Sequence, residues 1–275
     1  MNIETMIENY IQLGYKKIEA SSKVGQDILL HKIAKSNFKN NITIKGGVVM
    51  HNISKDIRRA TRDLDLDFIK YSLSNDSIRE FIKKLNMVGD GITIIINGDI
   101  EKLHHQDYDG KRVNILIKDN FNNIIETKLD IGVNKLFELE QEKLYFDLGI
   151  LHEEISLLVN SKEQSFAEKL KSLLKFGIRS TRYKDIFDFY YLINNTNLNK
   201  NKLVKCLNKL IIDDEQMKEK SIFDIITRFK NISNNNDYKK MLEQANNNWI
   251  EKPINEVIDL VLNFIISLST EYITI

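Results

Sequence analysis

Apolar residues in the first forty positions fall at helical spacing: Ile11, Leu13 and Ile18, then Ile28, Leu29 and Ile33. This predicts helices over residues 3–20 and 22–36, with Ser21 or Ser22 able to cap the second. The period then changes. Residues 41–45 read as a strand and 48–53 as a short helix. Residues 63–69 read as a strand of strict alternation, with Leu64, Leu66 and Phe68 pointing one way and Asp63, Asp65 and Asp67 the other. Ser77-x-x-Glu80 has the form of a capping box opening a helix to about Leu85. Residues 91–100, 113–118 and 124–133 read as strands, with turn chemistry at Asp107-Tyr108-Asp109-Gly110 and Asp119-Asn120, and 155–159 as one more short strand.

From Ser161 onward the apolar pattern is helical throughout. It predicts helices over 164–176, 183–194, 199–211, 215–230, 237–247 and 253–268, with Asn-rich loops at 231–236 and 244–248. The sequence therefore predicts an α/β (α+β) N-terminal domain over residues 1–160, built on a small mixed sheet, and an α-helical C-terminal domain over 161–275.

Composition narrows the class. The chain has 275 residues, 42% hydrophobic and 29% charged, which fits a soluble globular protein. A net charge of +1 supplies no global field for nucleic acid, so such a role would need a local basic patch. The single cysteine, Cys206, excludes an internal disulfide and suits a reducing cytoplasm. Its apolar helical setting reads as core. Glu4 and Glu8 with no apolar run give no signal peptide. The apolar stretch 254–268 is interrupted by Asn255, Glu256, Asp259 and Asn263, and is too short and too polar to span a bilayer. His31, His51, His104, His105 and His152 show no metal-ligand spacing, and there is neither a P-loop nor a Gly-x-Ser-x-Gly elbow.

Candidate chemistry sits in two stretches. In the first, Lys45-Gly46-Gly47 precedes the short helix, and Arg59-Ala60-Thr61-Arg62-Asp63-Leu64-Asp65 leads into the alternating strand. Side chains two apart on a strand share a face at about 6–7 Å spacing, so three carboxylates in a row repel unless a positive charge sits among them. Mg²⁺ fits when phosphate oxygens complete its shell. The glycine pair would let backbone N–H groups approach a phosphate. The same alternation also fits a half-exposed edge strand. On the strand 124–133, Asp130 shares a face with Lys128, and alternation alone fits a surface residue as well as a site residue. In the second stretch, Lys169 lies on a helix that turns Phe166, Leu170, Leu173 and Leu174 to the core. Asp185 and Asp188, three apart, share a helix face. Those three also fit ordinary solvated helix faces. Lys171, Lys175, Arg179, Arg182 and Lys184 add cationic side chains nearby.

The strand, Gly-Gly, helix and Asp-x-Asp order resembles the signature of the nucleotidyltransferase superfamily. The string Lys45-Gly46-Gly47 … Arg59-x-Thr61-x-Asp63-Leu64-Asp65 is most similar to the AbiEii/AbiGii toxin branch, which includes the MenT toxins. That branch also carries Glu-Lys-Leu followed by Arg/Lys-Asp-x-x-Asp, matched here by Glu168-Lys169-Leu170 and Lys184-Asp185-Ile186-Phe187-Asp188. The resemblance implies transfer of a nucleoside monophosphate from an NTP to an acceptor in a cleft between the two domains. Asp63 and Asp65 would hold Mg²⁺ with Asp130 nearby, and Gly46, Gly47, Arg59 and Thr61 would contact the nucleotide. Lys169 would hold triphosphate oxygens, and Asp185 would orient the triphosphate-binding groups or act as an acid/base partner. Roles for Asp67 and Asp188 stay open. The resemblance further implies a cytoplasmic toxin of a toxin–antitoxin or abortive-infection (phage defence) system, acting on RNA, with a tRNA 3′ end as the expected acceptor, and a separately encoded antitoxin. A small hydroxylated acceptor such as an aminoglycoside, and a non-catalytic binding module on the same scaffold, are the alternatives.

Overall fold

The computed structural model describes residues 1–103, 110–134 and 138–272. His104, His105 and the turn residues Asp107, Tyr108 and Asp109 lie outside the described residues. The chain divides into two compact units, Met1–Asn160 and Ser161–Ile275.

The first unit begins with α1 (Ile3–Gln12) and α2 (Lys17–Lys35). The single helix predicted over 3–20 is therefore two pieces. Gly14, at φ +97°, breaks it, and α2 runs straight through Ser21 and Ser22. Ser22 donates its hydroxyl to the Ile18 carbonyl at 3.0 Å inside the helix and caps nothing. Next come β1 (Ile42–Lys45), α3 (Gly47–Ser54), β2 (Leu64–Phe68) and α4 (Asn75–Leu85). The cap of α4 is Ser74, which accepts from the Ser77 N–H at 3.2 Å, so Ser77 lies one turn inside the helix that it was expected to open. The remaining strands are β3 (Ile92–Ile96), β4 (Glu101–Leu103), β5 (Gly110–Asp119), β6 (Ile124–Val133), β7 (Glu142–Leu148) and β8 (Glu153–Val159). The sequence reading lacked β4 and β7.

Among the described residues, the eight strands form one mixed sheet in the order β3-β5-β6-β2-β1-β8-β7, with β4 also paired to β5. β2 runs parallel to β6 and antiparallel to β1, and β1 runs parallel to β8. One face is apolar. Val113, Ile115 and Ile117 of β5, Ile125, Leu129 and Ile131 of β6, Leu64, Leu66 and Phe68 of β2, and Ile42 and Ile44 of β1 are all buried. Helices lie on this face. A Cβ at Gly25 of α2 would touch Ile125, Ile117 and Thr127 at 3.4–3.8 Å, and Phe81 of α4 meets Phe68 edge to face at 5.3 Å. Strand alternation then sends Thr43, Lys45, Asp65, Asp67, Asp130 and Arg112 to the opposite face.

The N-terminus is tied to the sheet by one buried acid. Asp119, at the end of β5, accepts from the N–H groups of Ile3 (2.9 Å), Phe121 (2.8 Å) and Asn123 (2.9 Å) and from the Asn123 side chain (2.9 Å). Burial opposes its ionisation, but these donors outweigh it and hold the carboxyl below its ordinary range. A depressed folded-state value stabilises the fold above the unfolded value of about 3.9, and that stabilisation is lost as pH falls through the folded value. Asp119→Ala should cost about 1–3 kcal/mol in a urea titration at pH 7, because it leaves buried N–H groups unpaired. The gap to the wild type should narrow as pH drops below about 4.

The second unit is helical: α5 (Lys162–Phe176), α6 (Lys184–Asn195), α7 (Lys200–Leu207), α8 (Ile222–Ser233), α9 (Asn236–Leu242) and α10 (Ile254–Tyr272). Ser161, Asn199, Ser221 and Asn235 cap α5, α7, α8 and α9 with their side-chain oxygens. The helix predicted from 215 starts at Ile222, because Ser221 caps there and Asp224 takes the Lys220 N–H and the Ser221 hydroxyl. Phe166, Phe187, Phe189, Phe229 and Trp249 fill the core. Cys206 is buried among them, and burial pushes its thiol up to about 12, as suits a core residue. Among the described residues no helix is long and apolar enough to cross a membrane.

Candidate active site

The strand register aligns four charged residues across four neighbouring strands. Lys45 of β1 pairs with Asp65 of β2, Asp65 with Asp130 of β6, and Asp130 with Arg112 of β5. Neighbouring strands lie about 4.8 Å apart, so two carboxylates stand side by side with a cation on each flank. Asp67, two residues along β2 from Asp65, is bound by Lys45 at 2.7 Å. Arg112 grips Asp130 with both arms of its fork, Nε to Oδ1 at 2.8 Å and Nη2 to Oδ2 at 2.7 Å. Hydrogen bonding to Asp130 pushes the guanidinium pKa up, with further attraction from Asp130, Asp63 and Glu101. Asp63 sits half-buried just before β2.

The glycines are where the chain approaches this row most closely. Gly46 caps α3 at φ +74°, and a Cβ there would collide with the Asp65 carboxylate. A Cβ at Gly47 would lie 2.7 Å from the Thr61 side chain. Both positions therefore exclude any other residue, and the N-terminus of α3 stands directly beside Asp65.

The segment from Lys55 to Asp63, which carries Arg59 and Thr61, is braced from behind. Gln26 of α2 donates to the Thr61 carbonyl at 2.9 Å. His51 of α3 donates Nδ1–H to the Asp56 carbonyl at 3.0 Å and accepts the Tyr15 hydroxyl on Nε2 at 2.9 Å. The carbonyl partner fixes this tautomer. Burial, followed by the charge of Lys23, holds the imidazole neutral, with its pKa down to about 4. Arg59 is buried. His51 also lines a pocket of about 170 Å³ with Tyr10, Tyr15, Lys23, Asp27 and Asp147. There Asp27 takes both the Tyr10 hydroxyl and the Lys23 ammonium.

In the second unit the structure brings Lys169, Asp185 and Asp188 together. The Lys169 ammonium contacts Asp185 at 2.6 Å and Asp188 at 2.9 Å, and all three side chains are buried. Arg182 reaches the other oxygen of Asp185 at 2.7 Å, and Trp249 donates its indole N–H to Asp188 at 3.2 Å. Burial works against ionised Asp185, but Lys169 and Arg182 outweigh it and hold the carboxyl below its ordinary range. These residues are thus a paired internal network, and the solvated-face alternative does not describe them. Of the nearby cations, Lys171 is bound by Asp214 at 2.7 Å. Arg179 lines an exposed groove of about 290 Å³ with Phe176, Ile178, Arg228, Asn231 and Ile232.

Sequence reasoning included Lys45 in its motif string but gave it no role, and it missed Arg112 as a neighbour of Asp130 and Trp249 as a partner of Asp188. Among the described residues, no three His, Cys, Asp or Glu side chains converge closely enough to cage a metal ion by themselves. The donors on the sheet are nevertheless all carboxylate oxygens, the set a hard divalent cation takes when substrate phosphates and water complete its shell.

A family model described as the nucleotidyl transferase AbiEii toxin of type IV toxin–antitoxin systems matches residues 27–254. No curated protein matches the chain. Among solved structures it is similar to an antigenic nucleotidyltransferase-like protein from Paracoccidioides brasiliensis. The identity is 14% and the TM-score 0.36, over 81% of this chain and 92% of that one.

Proposed function

The chain belongs to the AbiEii nucleotidyl transferase toxin family of type IV toxin–antitoxin systems, and from that premise we propose that it moves a nucleoside monophosphate from an NTP to RNA. The acceptor we favour is a tRNA 3′ end, with pyrophosphate released and growth arrested in the cytoplasm unless a separately encoded antitoxin opposes it. The observation that carries this reading is the row Lys45–Asp65–Asp130–Arg112 beside the glycine-entered helix α3.

The all-oxygen donor set fits Mg²⁺, with Asp63 and Asp65 assigned to hold it and Asp130 next to Asp65 in register. When bound, the ion would ease deprotonation of the acceptor hydroxyl and offset charge developing at the α-phosphate. The chain's own residues supply position. Gly46 and Gly47 open the N-terminus of α3 so that its N–H groups can meet phosphate oxygens. Arg59 and Thr61 hold the nucleotide from the braced segment. Lys45 fixes Asp67 so that the β2 carboxylates do not simply repel one another. In the second unit, Lys169 is assigned to triphosphate oxygens and Asp185 to orienting it. To reach a phosphate, Lys169 would exchange one of its two carboxylate partners, so the network is its resting state.

The RNA acceptor draws support from the groove of Arg179, Arg228, Phe176 and Ile178, because guanidinium groups beside an aromatic ring suit phosphate and a stacked base. Incubating the protein with each α-labelled NTP, Mg²⁺ and total RNA should place label on RNA 3′ ends. RNA affinity should fall steeply with salt, and Arg179→Ala with Arg228→Ala should shallow that slope. Label appearing on a small hydroxylated compound while RNA stays untouched would replace the acceptor. Binding of NTP with no transfer to any acceptor would favour the non-catalytic scaffold.

A further inference from the structure

We infer that Arg112 is a further substrate-contacting residue, its guanidinium fixed by Asp130 for the phosphates of the nucleotide. This rests on the transfer reaction proposed above. Asp63, Asp65, Asp67 and Asp130 put four carboxylates at one end of the sheet, and a nucleoside triphosphate is itself a polyanion. Its approach needs cations on that same face, and the register supplies two, Lys45 and Arg112. They are not equivalent. The Lys45 side chain is 11% accessible and is held by Asp67. The Arg112 side chain is 33% accessible, and it spends only its Nε and one Nη2 N–H on Asp130. Guanidinium has five N–H donors in a rigid fork. Three therefore remain, and Arg112 makes no other hydrogen bond among the described residues. A planar fork gripped on one edge presents its other edge in a fixed direction, which is the geometry that recognises phosphate bidentately.

Asp130 then changes role. Each of its oxygens already carries an Arg112 N–H. It serves as the positioning residue for Arg112, and the divalent ion falls to Asp63 and Asp65.

The test uses the full chain and the α,β-methylene analogues of the four NTPs with Mg²⁺ and no acceptor, so binding is read without turnover. Mn²⁺ titration without nucleotide, followed by electron paramagnetic resonance, reads the cation separately. Arg112→Ala should weaken analogue binding about 10- to 100-fold. Arg112→Lys should recover only part, because an ammonium cannot keep the fork. Asp130→Asn should show a loss of the same kind, and the double variant should be no worse than Arg112→Ala alone. Mn²⁺ affinity should stay at the wild-type value in all four, with thermal midpoints confirming that each is folded. Wild-type analogue affinity in folded Arg112→Ala overturns the inference. So does Asp130→Asn losing Mn²⁺ while Arg112→Ala does not, which would make Asp130 a metal ligand. A wild-type protein that binds none of the four analogues overturns the transfer reading itself.

Discussion

Asp63→Ala and Asp65→Ala are each expected to cut nucleotidyl transfer by about 10³-fold or more, the scale seen when a member of a catalytic unit is removed. Asp65 lies in register between Lys45 and Asp130 and against the Gly46 backbone, so removing it empties the centre of the row. Asp63 and Asp65 are only half-buried, and the loss should appear in label transfer from an α-labelled NTP with little change in thermal midpoint. Asp67→Ala should behave differently. Asp67 holds the ammonium of the buried Lys45, so removing it takes away one of that ammonium's charged contacts and should lower stability more than catalysis. Transfer at the wild-type rate in either Asp63→Ala or Asp65→Ala would remove these residues from the reaction.

Lys169→Ala is expected to destabilise the second unit by about 3–5 kcal/mol, because it leaves two buried carboxylates facing each other without their shared cation. In a thermal scan the shift should be about 10 °C or more. Asp188→Asn should cost less, since Lys169 keeps Asp185 and the Trp249 indole keeps an acceptor. Asp185, held below its ordinary range, contributes stability above about pH 3.9, which is lost as pH falls through the folded value. The Lys169→Ala deficit should therefore shrink in acid. Weakened NTP binding in this variant counts toward a triphosphate role for Lys169 only at a temperature where its circular dichroism still matches the wild type. A Lys169→Ala protein that melts with the wild type would mean that the buried network adds nothing to the fold.

What the sequence disclosed, and what it did not, follows from the range of the interactions. The alternation of Leu64-Asp65-Leu66-Asp67-Phe68 is local, and it places the carboxylates on one face without any knowledge of the sheet. The same holds for Asp130 against Leu129 and Ile131. Lys45 and Arg112 are different. Each is an ordinary cation in its own strand, and it joins the site only because β1 and β5 flank the β2–β6 pair. Nothing in the local pattern of β5 specifies that neighbour, since β6 meets β2 in parallel only after α4, β3, β4 and β5 have intervened. Trp249 and Asp188 are likewise far apart in the chain. Other misses were local and readable. Gly14 is a helix-stop signal between α1 and α2, and Leu144, Phe146 and Leu148 alternate in β7. That strand sits at the end of the sheet, with Lys143, Tyr145 and Asp147 exposed, so its charged half hides the apolar half.

The row across β1, β2, β6 and β5 is where we place the reaction of the nucleotide. The most direct measurement is a crystal structure of the full chain with Mg²⁺ and an α,β-methylene NTP analogue. The triphosphate should lie at the mouth of α3, with a cation held by Asp63 and Asp65 and a phosphate oxygen within hydrogen-bond distance of Arg112. A triphosphate seated instead in the Tyr10–His51 pocket, with Asp63 and Asp65 contacting neither metal nor phosphate, would contradict it.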